Sequence, residues 1–155
     1  MSLQDALFGA PQTVATSDDY YTPKEVFALL GLQFDLDVAS PPEPIPWIPA
    51  DRRYTVEDDG LIQPWYGRVW MNPPYSQATP WARKFIAHRN GVALLPFAKS
   101  AWLVEMWDAA EALVVRRDGF PNFIGGSIPY PVFFAAFGDE CCEAITRLGT
   151  ARRAA

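Results

Sequence analysis

The sequence predicts an α/β fold of three layers, a sheet between layers of helices, with an antiparallel strand pair near its C-terminal end. Three observations predict it. Short apolar or alternating runs at 34–38, 68–71, 92–95 and 112–115 are separated by longer stretches with helical periodicity or by loop-forming residues. Val92-Ala93-Leu94-Leu95 is apolar throughout, the pattern of a strand buried on both faces. Half of the 155 residues are apolar, enough for one core of domain size.

Residues 1–17 show neither period and read as a flexible N-terminal arm, followed by a single domain over 18–148 and a tail over 149–155. Thr22-Pro23-Lys24-Glu25 predicts a helix start, with Thr22 as N-cap, Pro23 in the first helical position and Glu25 closing a capping box. Val26, Phe27, Leu29 and Leu30 give that helix an apolar face, and Gly31 ends it. Phe34 to Val38 alternates apolar and polar residues, as a strand does. Pro41, Pro42, Pro44, Pro46 and Pro49 then exclude helix and central strand, leaving a covering loop that carries Trp47.

Arg52 to Leu61 reads as a short strand and an acidic turn, and Arg68 to Met71 as a strand leading into Asn72. Thr79-Pro80 is expected to cap a helix that places Trp81, Phe85 and His88 on one face and ends at Asn90-Gly91. Ser100 to Glu111 reads as a helix, Ala112 to Val115 as a strand, and Val132 to Phe137 as a longer strand that Phe120 to Ile124 can pair with. Arg152 and Arg153 lie in an Ala-rich stretch that reads as a solvated end.

Composition excludes several function classes. No apolar run approaches the roughly 18 residues of a membrane span, and the N-terminus lacks the basic-then-apolar order of a secretory signal. The two cysteines, Cys141 and Cys142, are adjacent, which suits neither a disulfide framework nor a spaced zinc site and fits a reducing cytoplasm. A net charge of −5 argues against a protein that grips duplex DNA mainly by neutralising phosphates. The positive charges are clustered at Arg83, Lys84 and Arg89 and at Arg116 and Arg117, so a local basic face is expected.

The most specific segment is Val69-Trp70-Met71-Asn72-Pro73-Pro74-Tyr75-Ser76, an apolar run that stops at Asn-Pro-Pro-Tyr. There the sequence resembles the amino-methyltransferases, S-adenosylmethionine-dependent enzymes that methylate exocyclic amino groups, usually of adenine in DNA. The chemistry accounts for the residue types. An adenine amino nitrogen is a poor nucleophile because its lone pair is delocalised, and transfer needs that pair aimed at the methyl group at roughly 3–3.5 Å. Two acceptors, one for each N–H, hold the nitrogen and favour its pyramidal form; the Asn72 side-chain oxygen and the Pro73 carbonyl are candidates. Pro73 and Pro74 stiffen the turn by fixing φ and restricting the preceding ψ, so the acceptors are set in place beforehand. Tyr75 offers a flat face on which a base can stack. Neither a general base nor a metal is demanded, because the methylated product loses its proton readily and the leaving group is a neutral thioether.

Taken in order, Thr22-Pro23, Asp37-Val38-Ala39-Ser40 and Asn72-Pro73-Pro74-Tyr75 make the chain similar to the small phage-type (Dam-like) DNA N6-adenine methyltransferases, over about Asp19 to Phe137. The resemblance implies a trimmed Rossmann-like methyltransferase sheet, a phage or prophage origin in a bacterial cytoplasm, S-adenosylmethionine as cofactor and DNA, duplex or single-stranded, as partner. It implies cofactor contacts for Tyr21, Thr22 and Pro23, for Asp37 and Ala39, and for Asp59 in Glu57-Asp58-Asp59-Gly60-Leu61. Asp37 would face the ammonium of the methionyl part. Substrate contacts fall to Tyr75 and, beyond Leu94-Leu95-Pro96, to Phe97, Lys99 and Trp102. Here Lys99-Ser100-Ala101 stands where an Asp-Thr pair is commoner, and Leu103 replaces a Phe. Pro41-Pro42 follows Ser40 directly, where larger methyltransferases carry a glycine-rich loop. The expected reaction is methyl transfer to a flipped adenine. Two other readings stay open: an amino-methyltransferase acting on RNA or a protein glutamine amide, and a non-catalytic binding module of the same fold. Nothing in the sequence fixes a recognition site or an oligomeric state.

Overall fold

Consecutive residues of a strand point to opposite faces of its sheet, so the uninterrupted apolar strands of this chain supply two cores at once. The computed structural model describes residues 21–116 and 131–154. Its strands are β1 (Phe34–Asp37), β2 (Ala50–Arg53), β3 (Val69–Met71), β4 (Gly91–Pro96), β5 (Ala112–Arg116), β6 (Val132–Phe137) and β7 (Ala151–Arg153). Its helices are α1 (Lys24–Leu30), α2 (Ala78–His88), α3 (Ala101–Ala109) and α4 (Asp139–Ile145). The strands form one sheet in the order β2-β1-β3-β4-β6-β5-β7. Pairing is parallel from β2 through β4, whereas β6 runs antiparallel to both β4 and β5, and β7 antiparallel to β5.

Val92, Leu94, Phe134 and Ala136 pack beneath α1 and α4 with Val26, Phe27, Leu30 and Ile145. Their neighbours Ala93, Leu95, Phe133 and Ala135 pack beneath α2 and α3 with Trp81, Phe85, Trp102 and Met106. Every residue of β4 and β6 is buried, as expected for strands between two helical layers. The three layers are therefore the predicted ones, with α4 as an addition that sequence reading did not anticipate.

Local expectations fared unevenly. Gly31 ends α1 in the left-handed conformation, its N–H donating to the Phe27 carbonyl. Thr22, however, is not the N-cap: Pro23 occupies that position, no side chain caps the helix, and the Thr22 hydroxyl is engaged elsewhere. Thr79 and Pro80 lie inside the first turn of α2, because a one-turn 3-10 segment (Tyr75–Gln77) already bends the chain into the helix. That helix ends at Arg89, which takes the left-handed conformation, while Gly91 opens β4. Residues Ala151–Arg153 are an edge strand and not a loose end, since their backbone finds donors and acceptors on β5. The N-terminal arm, Arg117 and the Phe120 to Ile124 pairing lie outside the described residues. No helix among the described residues is long and apolar enough to cross a membrane.

The sheet keeps seven strands, but among the described residues neither the β1–β2 nor the β2–β3 connection contains a helix. The second connection is held instead by a polar staple. The Lys84 ammonium donates to the carbonyls of Gly60 (3.1 Å), Leu61 (2.8 Å) and Gln63 (2.6 Å), and it lies over the Trp65 ring. Trp65 Nε1 adds a 2.7 Å bond to the Gly60 carbonyl. Gly60 packs so closely on the end of β1 that a Cβ there would collide with the Val38 carbonyl and meet the Trp81 ring. Gly60→Ala should therefore destabilise the protein by about 1–3 kcal/mol through overpacking, read as a lowered midpoint of urea unfolding with unchanged slope.

Candidate active site

The chain leaves β1 and β3 in opposite directions across the sheet, toward β2 at the outer edge and toward β4 at the centre. Two parallel neighbours whose connections diverge leave a crevice beyond their carboxyl ends. A cavity of about 560 Å³ lies there, within the size range of small-molecule sites. Asp37, Val38 and Ala39 enter it from the end of β1, and Asn72, Pro73 and Pro74 from the end of β3. Tyr21 and Thr22 line it ahead of α1, and Asp59, Gly60 and Leu61 line it from the stapled loop.

The structure thus brings Tyr21, Thr22, Asp37, Ala39, Asp59, Asn72, Pro73 and Pro74 to one cavity. The other candidates lie elsewhere. Pro23 is buried at the start of α1. Tyr75 opens the 3-10 turn, with its ring partly buried against the α1–α4 core. Phe97 is exposed beyond β4 and rests on Phe133 and Trp107, and Lys99 is exposed near it in sequence. Trp102, only 2% exposed, stacks on Phe133 in the core, which leaves it almost no surface for a substrate.

Asp37 is the electrostatic centre of the cavity. Its side chain is 3% exposed and accepts one hydrogen bond, from the Ala39 N–H at 3.2 Å. Burial pushes its carboxyl up to about 7, outweighing that bond and the nearby Arg53 charge, which both favour the ionised form. Arg53 is occupied with the proline-rich loop, donating to the carbonyls of Pro41 (2.9 Å) and Pro42 (3.2 Å) and to Ser40 Oγ (3.4 Å).

A second set of bonds holds the turn after β3. Asn72 Nδ2 donates to Thr22 Oγ1 at 3.2 Å, and Trp47 Nε1 donates to the Thr22 carbonyl at 2.9 Å. Asp59 adopts the left-handed conformation, with φ of 59°, and its Oδ1 accepts from the Leu61 N–H at 3.1 Å.

Sequence reasoning missed the apolar walls. Ile45 and Ile48, between the prolines, and Trp81, on α2, all line the cavity. The proline density marked a rigid loop, and the isoleucines inside it were the available sign that the loop faces something apolar. Of the cations expected to form a basic face there, Lys84 holds three carbonyls, while Arg83, paired with Glu105, and Arg89, over the Phe137 ring, stay exposed.

The described residues thus form a mixed α/β sheet with a cavity of small-molecule size beyond its parallel strand ends, walled in part by Asn72, Pro73 and Pro74. Comparison with known proteins specifies it further. The chain belongs to the DNA N-6-adenine-methyltransferase (Dam) family, which it matches over residues 10–129. It is 32% identical over 116 residues to the DNA N-6-adenine-methyltransferase of Escherichia phage T1, with 67% of this chain and 47% of that relative covered. The chain therefore spans about half the length of the curated relative it matches. No solved structure matches it.

The raised Asp37 carboxyl has a signed consequence for stability. Between its ordinary value of 3.8 and about 7 the folded chain holds a proton that the unfolded chain has lost, so this group's contribution to stability is present at low pH and is lost as pH rises through about 7. Asp37→Asn should stabilise the ligand-free protein relative to wild type at pH 8, with the gain shrinking toward pH 4. Thermal melts of both proteins across that range check it.

Proposed function

We propose that this chain is an S-adenosylmethionine-dependent DNA N6-adenine methyltransferase. The observation that carries the reading is that Asp37 and the Asn72-Pro73 turn, at the ends of adjacent parallel strands, face one cavity. When bound, S-adenosylmethionine supplies an electrophilic methyl group on a sulfonium. The residues present fit it: the buried Asp37 carboxylate suits its ammonium, Asp59 suits hydroxyl or amino donors, and Ile45, Ile48 and Leu61 suit its apolar surface. Tyr21 and Thr22 bound the same space.

On this reading the sheet is a trimmed Rossmann-like methyltransferase sheet, and the clamped proline loop takes the place of a glycine-rich one. The substrate adenine reaches the rim in flipped form. Asn72 Oδ1 and the Pro73 carbonyl accept from its two amino hydrogens, and Tyr75 offers a stacking face. The chain's net charge of −5 favours a weak grip on duplex phosphates. Extrusion costs least from unpaired strands, so single-stranded or mismatched adenine should be methylated at least as well as duplex at moderate salt.

Incubation with labelled S-adenosylmethionine and a panel of DNA, RNA and protein substrates tests the assignment; label on protein glutamine with none on DNA would replace it with a protein amide methyltransferase. Asn72→Ala should lower turnover on the order of a hundredfold or more by removing one acceptor, with cofactor affinity from calorimetry little changed. Tyr75→Ala should weaken DNA binding by about 1–3 kcal/mol while Tyr75→Phe is tolerated, because the ring face and not the hydroxyl makes the stack. Cofactor affinity should rise as pH increases through about 7, where Asp37 ionises, and Asp37→Asn should remove that dependence along with most of the binding.

A further inference from the structure

We infer that Arg53 is a positioning residue for the cavity: from its place beside Asp37 it clamps the Ser40–Pro42 wall and leaves the Asp37 carboxylate to the ligand. The inference rests on the proposed methyl-transfer reading and deepens it.

β2 adds little to either core. It lies at the outer edge of the sheet, and its residues Asp51, Arg52 and Arg53 are exposed. Its register with β1 sets Arg53 opposite Asp37, and in-register residues of neighbouring strands project to the same face. The ladder then runs on past the strand: the Tyr54 N–H donates to the Asp37 carbonyl and the Ser40 N–H to the Tyr54 carbonyl, both at 2.8 Å. Arg53 is thereby fixed in relation to Asp37 on one side and to Ser40 on the other.

Beyond Ser40 that ladder cannot continue, since Pro41 and Pro42 bring carbonyls but no N–H. Arg53 Nη1 supplies the donor, reaching the carbonyls of Pro41 (2.9 Å) and Pro42 (3.2 Å) and Ser40 Oγ (3.4 Å). Ser40, Pro41 and Pro42 all line the cavity, whereas Arg53 itself does not. Trp47 Nε1 on the Thr22 carbonyl and the Phe34 N–H on the Pro49 carbonyl hold the far end of the loop independently, so removing Arg53 frees the cavity wall without releasing the whole loop. The Arg53 charge also reaches Asp37, where it favours the ionised form, yet among the described residues no ion pair joins the two. The carboxylate keeps its accepting capacity for the cavity. The other titratable groups that line the cavity, Tyr21 and Asp59, bring no positive charge to it.

Two substitutions separate the clamp from mere packing. Arg53→Gln removes the charge and keeps one amide donor group, whereas Arg53→Lys keeps the charge. The side chain is exposed on an edge strand, so both variants should fold, which thermal melts check. In Arg53→Gln the dissociation constant of S-adenosylhomocysteine, from calorimetry at pH 8, should rise about fivefold, the equivalent of one hydrogen bond. The kcat at saturating S-adenosylmethionine should stay within about twofold, because the Asn72 turn follows β3 and meets Thr22, outside the clamp.

A further readout needs no ligand. The Asp37 carboxyl, followed by 13C NMR in the full chain, titrates near 7 in wild type; its midpoint should rise in Arg53→Gln and hold in Arg53→Lys, since only the first loses the neighbouring charge. A role confined to packing would move the midpoint in neither variant or in both alike. An unmoved midpoint in Arg53→Gln, or S-adenosylhomocysteine binding there within twofold of wild type, overturns the inference. If the wild-type chain binds no S-adenosylhomocysteine and transfers no methyl group while the midpoint still rises in Arg53→Gln, the methyl-transfer reading is what fails.

Discussion

The parallel pairing of β1 with β3 is the constraint on which the site depends. Leu36 pairs with Val69 and Asp37 with Trp70, which brings the two strand ends level with each other. Parallel neighbours cannot be joined by a tight turn, so the chain must travel out through β2 and return before it can form β3. Here both legs of that excursion are loops, and the loops become the walls of the cavity. A helix in either connection would bury an apolar face on the sheet; a loop can fold over the strand ends.

Loops used in this way need rigidity from another source. In the first it comes from covalent restriction: the prolines remove backbone freedom in the unfolded chain as well as the folded one, which lowers the entropy lost on ordering. Arg53 then fixes the carbonyls of Pro41 and Pro42. In the second it comes from Lys84 and Trp65, which satisfy backbone carbonyls that no regular structure would otherwise pair. Both cations act within the fold.

Asp37 shows the opposite balance. A carboxyl buried at the end of a central strand, with one backbone N–H as its hydrogen-bond donor, is a liability to the folded state that a leucine or an asparagine would not be. The exposed end of the same strand face makes the contrast: Asp35, two residues earlier, accepts from the Arg68 N–H and simply ties β1 to the start of β3.

The elements that local physics controls were legible in the residues alone. Uninterrupted apolar runs made β4 and β6 double-faced strands, Gly31 ended α1, and the prolines excluded regular structure over 41–49. Asp37, Asp59 and Thr22 were legible as candidates through their place in a family pattern, but not as neighbours. Only the tertiary structure decided that they share a cavity, that Ile45, Ile48 and Trp81 wall it, and that Trp102 belongs to the core. It also decided that the Thr22 hydroxyl meets Asn72 while α1 stays without a side-chain cap, that Lys84 is a staple, and that residues Ala151–Arg153 complete the sheet edge. Local sequence sets backbone preference and periodicity within a few residues. Which hydroxyl meets which amide, and which cation meets which carbonyl, depends on strand order and register, which are set by the packing of the whole chain.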